Sequence, residues 1–179
     1  MDSPKGVRAS VHVSGDRTGD RADEIIRAKD TVTVVIFGAS GDLSKRKLIP
    51  ALYHLGETGY LPDRYAVIGF SRTEMSDEAY RENTLASLRE QVEEGATRVR
   101  ADNPLITALH YQPGNNNDPK SFKRLREKLE TLERERDLPG NRLFYLSVAP
   151  EFFTTIIQNL CSSGLICGTQ DEIWSRGSV

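Results

Sequence analysis

The residues best placed to do chemistry are Gly38, Ala39, Ser40, Gly41, Asp42, Leu43, Ser44, Lys45, Arg46 and Lys47, which directly follow the apolar run Val32-Thr33-Val34-Val35-Ile36-Phe37. A buried strand that enters a glycine turn and then a helix makes a phosphate cradle. The turn offers main-chain N–H groups, and the start of the helix adds partial positive charge. Gly38 lets the chain reverse sharply, Gly41 lets backbone approach a diphosphate, and the Ser40 and Ser44 hydroxyls are candidate donors. The spacing is G-x-x-G, not the full G-x-G-x-x-G, so its meaning rests on the strand before it and the helix after it. A plain tight turn is the competing reading. A Walker P-loop is excluded, because no Gly-Lys-Ser/Thr stands at the required distance.

The end of the second apolar run, Tyr65 to Phe70, bears on which dinucleotide fits. NAD sites place an acid there, to accept from the adenosine ribose hydroxyl. Here the run continues Ser71-Arg72. An arginine can pair with a 2′-phosphate through two charge-assisted bonds, and Arg46 could reach the same group, so the pair favours NADP. Arg72 as a solvated strand-end charge is the alternative. A short-chain reductase needs Tyr-x-x-x-Lys, and no tyrosine here has Lys four residues later.

Positioning these residues calls for alternating strands and helices. Strands are predicted over residues 31–37, 65–70, 105–111 and 142–148. A helix starting near Asp42 carries Leu43, Leu48, Ala51, Leu52 and Leu55, with Pro50 kinking it or shaping its first turns. Ser76 caps a second helix bearing Ala79, Tyr80, Leu85, Leu88 and Val92. Asp118-Pro119 opens a third, with an apolar face of Phe122, Leu125, Leu129 and Leu132. Pro150 starts a last one, with Phe153, Ile156, Ile157 and Leu160, ended by Gly164. This alternation predicts an α/β fold: a Rossmann-like, doubly wound parallel sheet of about four strands in the order 3-2-1-4, with the glycine turn at its topological switch point.

Composition narrows the classes. The chain has 179 residues, 37% hydrophobic and 28% charged, with a net charge of −2. That is room for one domain, residues 31–179, after a polar arm over residues 1–30 that reads as disordered. The charge argues against a nucleic-acid or membrane-surface binder, and no apolar stretch approaches a membrane span. Without a hydrophobic signal core at the start, the expected location is cytoplasmic. Cys161 and Cys167 read as reduced thiols, and His12, His54 and His110 form no ligand set, so no metal is expected.

Together, Phe37-Gly38-Ala39-Ser40-Gly41-Asp42-Leu43, the basic cluster Lys45-Arg46-Lys47, Pro50, Leu61-Pro62, Ile68-Gly69, Arg72, Asn141-Arg142-Leu143-Phe144-Tyr145-Leu146 and Ala149-Pro150 resemble the cofactor-binding half of the glucose-6-phosphate dehydrogenase family. The resemblance covers about residues 31–176. It implies that residues 38–45 wrap the diphosphate of NADP and that Arg72, helped by Arg46, holds the 2′-phosphate. It also implies that Lys47, Tyr111 and Tyr145 lie beside the cofactor. Tyr145 as a strand residue packed on a helix stays open as an alternative.

The family continues after Trp-x-Arg into a fifth strand, a Glu-Lys-Pro-Phe-Gly motif, a sugar-phosphate block and a His–Asp base pair. Here Trp174-Ser175-Arg176 is followed by Gly177-Ser178-Val179. The resemblance therefore implies a substrate domain missing from this chain and no nameable catalytic residue. The chain alone is expected to be inactive, with glucose 6-phosphate a partner only where a substrate domain is supplied. Two further readings stand beside this one: a nucleotide-binding module working with a separate substrate-domain partner, and a remnant with an open strand edge. A homo-oligomer is expected of the full-length family.

Overall fold

The computed structural model describes residues 30–91 and 99–166. Four strands, β1 (Val32–Phe37), β2 (Tyr65–Ser71), β3 (Leu109–Pro113) and β4 (Arg142–Leu146), form one parallel sheet in the order β3-β2-β1-β4. The helices are α1 (Ile49–Glu57), α2 (Asp77–Gln91), α3 (Pro104–Ala108), α4 (Pro119–Glu135) and α5 (Phe153–Ser162). The expected fold class and strand order are both found. The polar arm, Val92, Cys167 and Trp174 lie outside the described residues.

The central strands β1 and β2 are covered on both faces, so they are apolar apart from Thr33 and Ser71. On one face Ile36, Val67, Leu109 and Tyr111 pack with Ile49 of α1, Tyr80 and Leu88 of α2, and Leu105 and Ile106 of α3. On the other, Val35, Phe37, Ile68 and Phe70 pack with Phe122, Leu125 and Leu129 of α4 and Ile156 and Leu160 of α5. Phe37, Phe70 and Phe122 meet at centroid distances of 4.9, 5.5 and 5.8 Å. The chain changes faces between β3 and β4. The strand order therefore reverses at β1, directly beneath the glycine turn.

Three local departures from expectation have identifiable causes. Residues 105–108 are helical rather than strand. Asn103 caps that turn by accepting from the Leu105 N–H at 2.8 Å, and Pro104 supplies a first helical residue whose missing N–H costs nothing. The strand begins only at Leu109. The helix near Asp42 opens as a π-turn (Ser44–Leu48), with the Ile49 N–H donating to the Ser44 carbonyl. Pro50 cannot donate, so the ladder widens just before it, and α1 starts with Pro50 in its first turn. The last helix enters through a 3-10 turn, Pro150–Phe152, and buries Ile156 and Leu160 while Phe153 and Ile157 stay exposed.

The predicted α4 is found as read, with the Asp118 carboxylate accepting from the Lys120 N–H at 3.1 Å. Edge strand β4 is tied to α4 by Arg142. Its Nε and Nη2 donate to the two Glu133 carboxylate oxygens at 2.8 and 2.7 Å, with Glu133 buried. Removing one member of such a buried pair costs about 3–5 kcal/mol, because the other charge is left unpaired.

Candidate dinucleotide site

Gly38 is the pivot of the turn. Its φ is +80°, and its N–H donates to the Phe70 carbonyl at 2.8 Å, joining the turn to the end of β2. A Cβ at this position would overlap the Ser147 carbonyl oxygen and lie 2.9 Å from Val148 Cγ1, so the end of β4 closes in where only glycine fits. The turn is completed by Ala39 N–H to Phe70 O, Gly41 N–H to Gly38 O and Lys45 N–H to Gly41 O. The N–H groups of Ser40, Asp42 and Leu43 take no part in these bonds. Donors of this kind, at the start of a helix, are what an anion requires.

The side chains divide. Ser44 is fully buried, and its hydroxyl donates to the Gly38 carbonyl at 3.1 Å, so it braces the turn and does not face outward. Ala39 is buried beneath the turn. Asp42, Leu43, Lys45, Arg46 and Lys47 are exposed, and Arg46 Nη1 lies 3.7 Å from Asp42 Oδ2. An exposed pair at that separation contributes little, so a phosphate can compete for Arg46 at small cost. Beside the turn, a small cleft of about 40 Å³ is lined by Ser40, Lys45, Met75, Asn83, Thr84 and Ser87, among others.

Ser40 is where the turn meets the end of β2. Its Oγ lies 2.6 Å from Ser71 Oγ and accepts from Thr73 Oγ1 at 3.3 Å. Ser71 and Thr73 bracket Arg72, which is exposed and has no ion-pair partner among the described residues. The structure thus brings Ser40 and Arg72 into one loop cluster. Sequence reading missed Ser71 and Thr73. The only signal was two hydroxyl residues flanking a strand-end arginine.

The two predicted tyrosines are placed differently. By register, Tyr111, Gly69, Ile36 and Tyr145 form one row across the sheet. Tyr145 is 42% exposed, on the open side of β4. Tyr111 is 1% exposed, and its hydroxyl donates to the Thr73 carbonyl at 2.7 Å. In this conformation it reaches the loop from beneath.

Asp77, at the start of α2, anchors β3. Its Oδ1 accepts from the Tyr111 N–H at 2.7 Å and from Lys128 Nζ at 2.6 Å, and its Oδ2 lies 2.7 Å from His110 Nδ1. Burial alone would raise the Asp77 pKa. Hydrogen bonds from His110, Lys128 and Tyr111 outweigh it and hold the group well below the ordinary carboxylate range. The His110–Asp77 pair has the form of a base with its orienting carboxylate, but His110 Nε2 is buried, with no hydrogen-bond partner among the described residues, out of reach of a substrate.

A carboxylate whose pKa is depressed on folding stabilises fully above its unfolded value, about pH 4, and loses that contribution as pH falls below it. Asp77→Asn is therefore expected to cost about 2 kcal/mol at pH 7. It is also expected to flatten the decline in Tm below pH 4, which thermal melts of both proteins between pH 2 and 7 would check.

No helix among the described residues is long and apolar enough to cross a membrane, and no cluster of three or more His, Cys, Asp or Glu among them could hold a metal.

A parallel sheet with reversed order at β1, a glycine turn at the reversal and an exposed arginine after β2 define a dinucleotide-binding domain of the Rossmann type. Residues 35–176 match the family model described as glucose-6-phosphate dehydrogenase, NAD binding domain. The chain belongs to the glucose-6-phosphate dehydrogenase family, for which NADP is the implied cofactor. It is 37% identical over 145 residues to glucose-6-phosphate 1-dehydrogenase of Chlamydia pneumoniae, covering 80% of this chain and 28% of that protein. It is 36% identical over 143 residues to the enzyme of the same name from Bacillus subtilis (strain 168), covering 80% and 27%. A solved glucose-6-phosphate dehydrogenase in complex with its substrate glucose-6-phosphate superposes with a TM-score of 0.65 at 29% identity, over 84% of this chain and 29% of that one. The chain thus spans less than a third of the length of these relatives.

Proposed function

We propose that this chain is the NADP-binding part of a glucose-6-phosphate 1-dehydrogenase, and that Arg72 gives the site its preference for the 2′-phosphate. The observation that carries this is the end of β2. An exposed arginine without an ion-pair partner among the described residues stands where an NAD site would place an acid, and its neighbours Ser71 and Thr73 are bonded to Ser40 of the glycine turn. A like-charged acid there would repel a 2′-phosphate, whereas a guanidinium forms two short bonds to it.

When bound, NADP supplies the hydride acceptor. The roles of this chain's residues in that reading are binding and orientation. The N–H groups of Ser40, Asp42 and Leu43 receive diphosphate oxygens, Lys45 and Lys47 neutralise charge, and Arg72, helped by Arg46, holds the 2′-phosphate. Tyr145, exposed on the far side of the turn, borders the nicotinamide end. The buried Ser44 and Ala39 shape the turn from within.

The test is calorimetric titration of the purified chain with NADP and with NAD, followed by addition of glucose 6-phosphate while NADPH absorbance is followed. Affinity for NADP at least tenfold above that for NAD supports the reading. Equal affinity, or none for either, counts against it. The absorbance trace reports whether the chain also carries out the dehydrogenation.

A further inference from the structure

Holding Arg72 in place requires more than its own loop. Residues 72–76 join β2 to α2 without regular structure, and both Arg72 and Thr73 are exposed. An exposed loop of this kind samples many conformations unless its main chain is bonded from beneath, and a guanidinium that must be ordered on binding binds more weakly.

The Ser71 carbonyl accepts from the Gly114 N–H at 2.9 Å, and the bond to the Thr73 carbonyl comes from Tyr111. Its hydroxyl lies 2.7 Å from the Thr73 carbonyl and 3.3 Å from the Ser71 carbonyl, the two that flank Arg72. A phenol has one proton, so the shorter contact takes most of it. Tyr111 itself has little freedom. Its ring lies 4.9 Å from that of Tyr80, and Gly69 opposite leaves room for Tyr80 that any Cβ would fill. Its N–H donates to Asp77, and its carbonyl accepts from Lys128 Nζ at 2.6 Å. Burial alone does not demand this bond, since the Tyr80 hydroxyl in the same layer is buried with no hydrogen-bond partner among the described residues.

We propose that Tyr111 is a positioning residue for cofactor preference: its hydroxyl fixes the Thr73 carbonyl, next to Arg72, while the Gly114 N–H holds the Ser71 carbonyl on the other side, and so it helps aim the guanidinium without itself touching the cofactor. This rests on the reading that Arg72 takes the 2′-phosphate of NADP.

The test is the nucleotide affinity of the full chain carrying Tyr111→Phe, which keeps the ring and removes the hydroxyl. NADP affinity is expected to fall roughly fivefold, the equilibrium value of one hydrogen bond, while NAD affinity stays within twofold. In an Arg72→Ala background the same substitution should change neither. Equal loss for both nucleotides would reduce Tyr111 to a structural role and overturn the proposal, as would no change for either.

A wild-type chain that prefers NADP while Tyr111→Phe matches it defeats this inference alone. A wild-type chain with no preference defeats the Arg72 reading and this inference with it. Should Tyr111→Phe not fold, backbone order parameters from NMR relaxation of the wild-type chain decide. Residues 72–75 as ordered as β2 before NADP is added support the proposal. Order that appears there only after NADP is added overturns it.

Discussion

Replacing Arg72 with alanine will weaken NADP binding by roughly 10- to 50-fold and leave NAD binding within twofold, as read by calorimetry on both nucleotides. A hydrogen bond to a charged group contributes about 1.5–3 kcal/mol, which spans roughly 10- to 150-fold in affinity. The exposure of Arg72 places the effect in the lower part of that range, because water screens the ion pair. NAD lacks the 2′-phosphate and so loses nothing from the missing guanidinium. Salt sharpens the test. The preference for NADP should shrink as ionic strength rises in the wild-type chain and be nearly flat in the variant. An equal loss for both nucleotides would mean that Arg72 supports the loop and does not read the phosphate.

Replacing Gly38 with alanine will destabilise the chain by about 4 kcal/mol, measured as a fall in the urea midpoint. Two terms add. A residue with a Cβ at a left-handed φ costs about 1–2 kcal/mol, and Gly38 sits at +80°. Overpacking adds about 1–3 kcal/mol, and here the obstacle is the Ser147 main chain, which cannot rotate away as a side chain could. The Ser147 N–H is bonded to the Phe37 carbonyl at 3.0 Å, so relieving the clash would break the end of the β1–β4 ladder. Such a loss is a large share of the 5–15 kcal/mol that holds an ordinary domain together. Any variant molecules that fold will bind NADP and NAD equally poorly, which distinguishes this position from Arg72.

Much of the architecture was legible in the chain. Val32 to Phe37, Thr33 apart, and Tyr65 to Phe70 are apolar runs, as strands covered on both faces are, and Phe122, Leu125, Leu129 and Leu132 repeat at helical spacing. Where reading failed, a local signal was outweighed. Leu105-Ile106-Thr107-Ala108 is apolar enough for a strand, but Asn103 and Pro104 start a helix whose side chains still reach the same core. Apolar content alone cannot separate a buried turn of helix from a buried strand. By spacing Phe153 and Ile157 belong with Ile156 and Leu160, yet α5 turns only the last two toward the sheet.

The candidate site divides along the same line. By itself the sequence determined the family, the strand–turn–helix frame, the need for glycine at position 38 and the arginine after β2, because each depends on residues adjacent in the chain. Only the tertiary structure decided what those residues touch. It turned the Ser44 hydroxyl inward to Gly38, set Ser40 against Ser71 and Thr73, and buried Tyr111 under the Arg72 loop with Asp77 and Lys128 holding its main chain. These contacts join the glycine turn, β2, β3, α2 and α4 across separations of up to 38 residues. Hydrogen bonds act over about 3 Å and are indifferent to position along the chain, so they exist only once the sheet has brought the strand ends together.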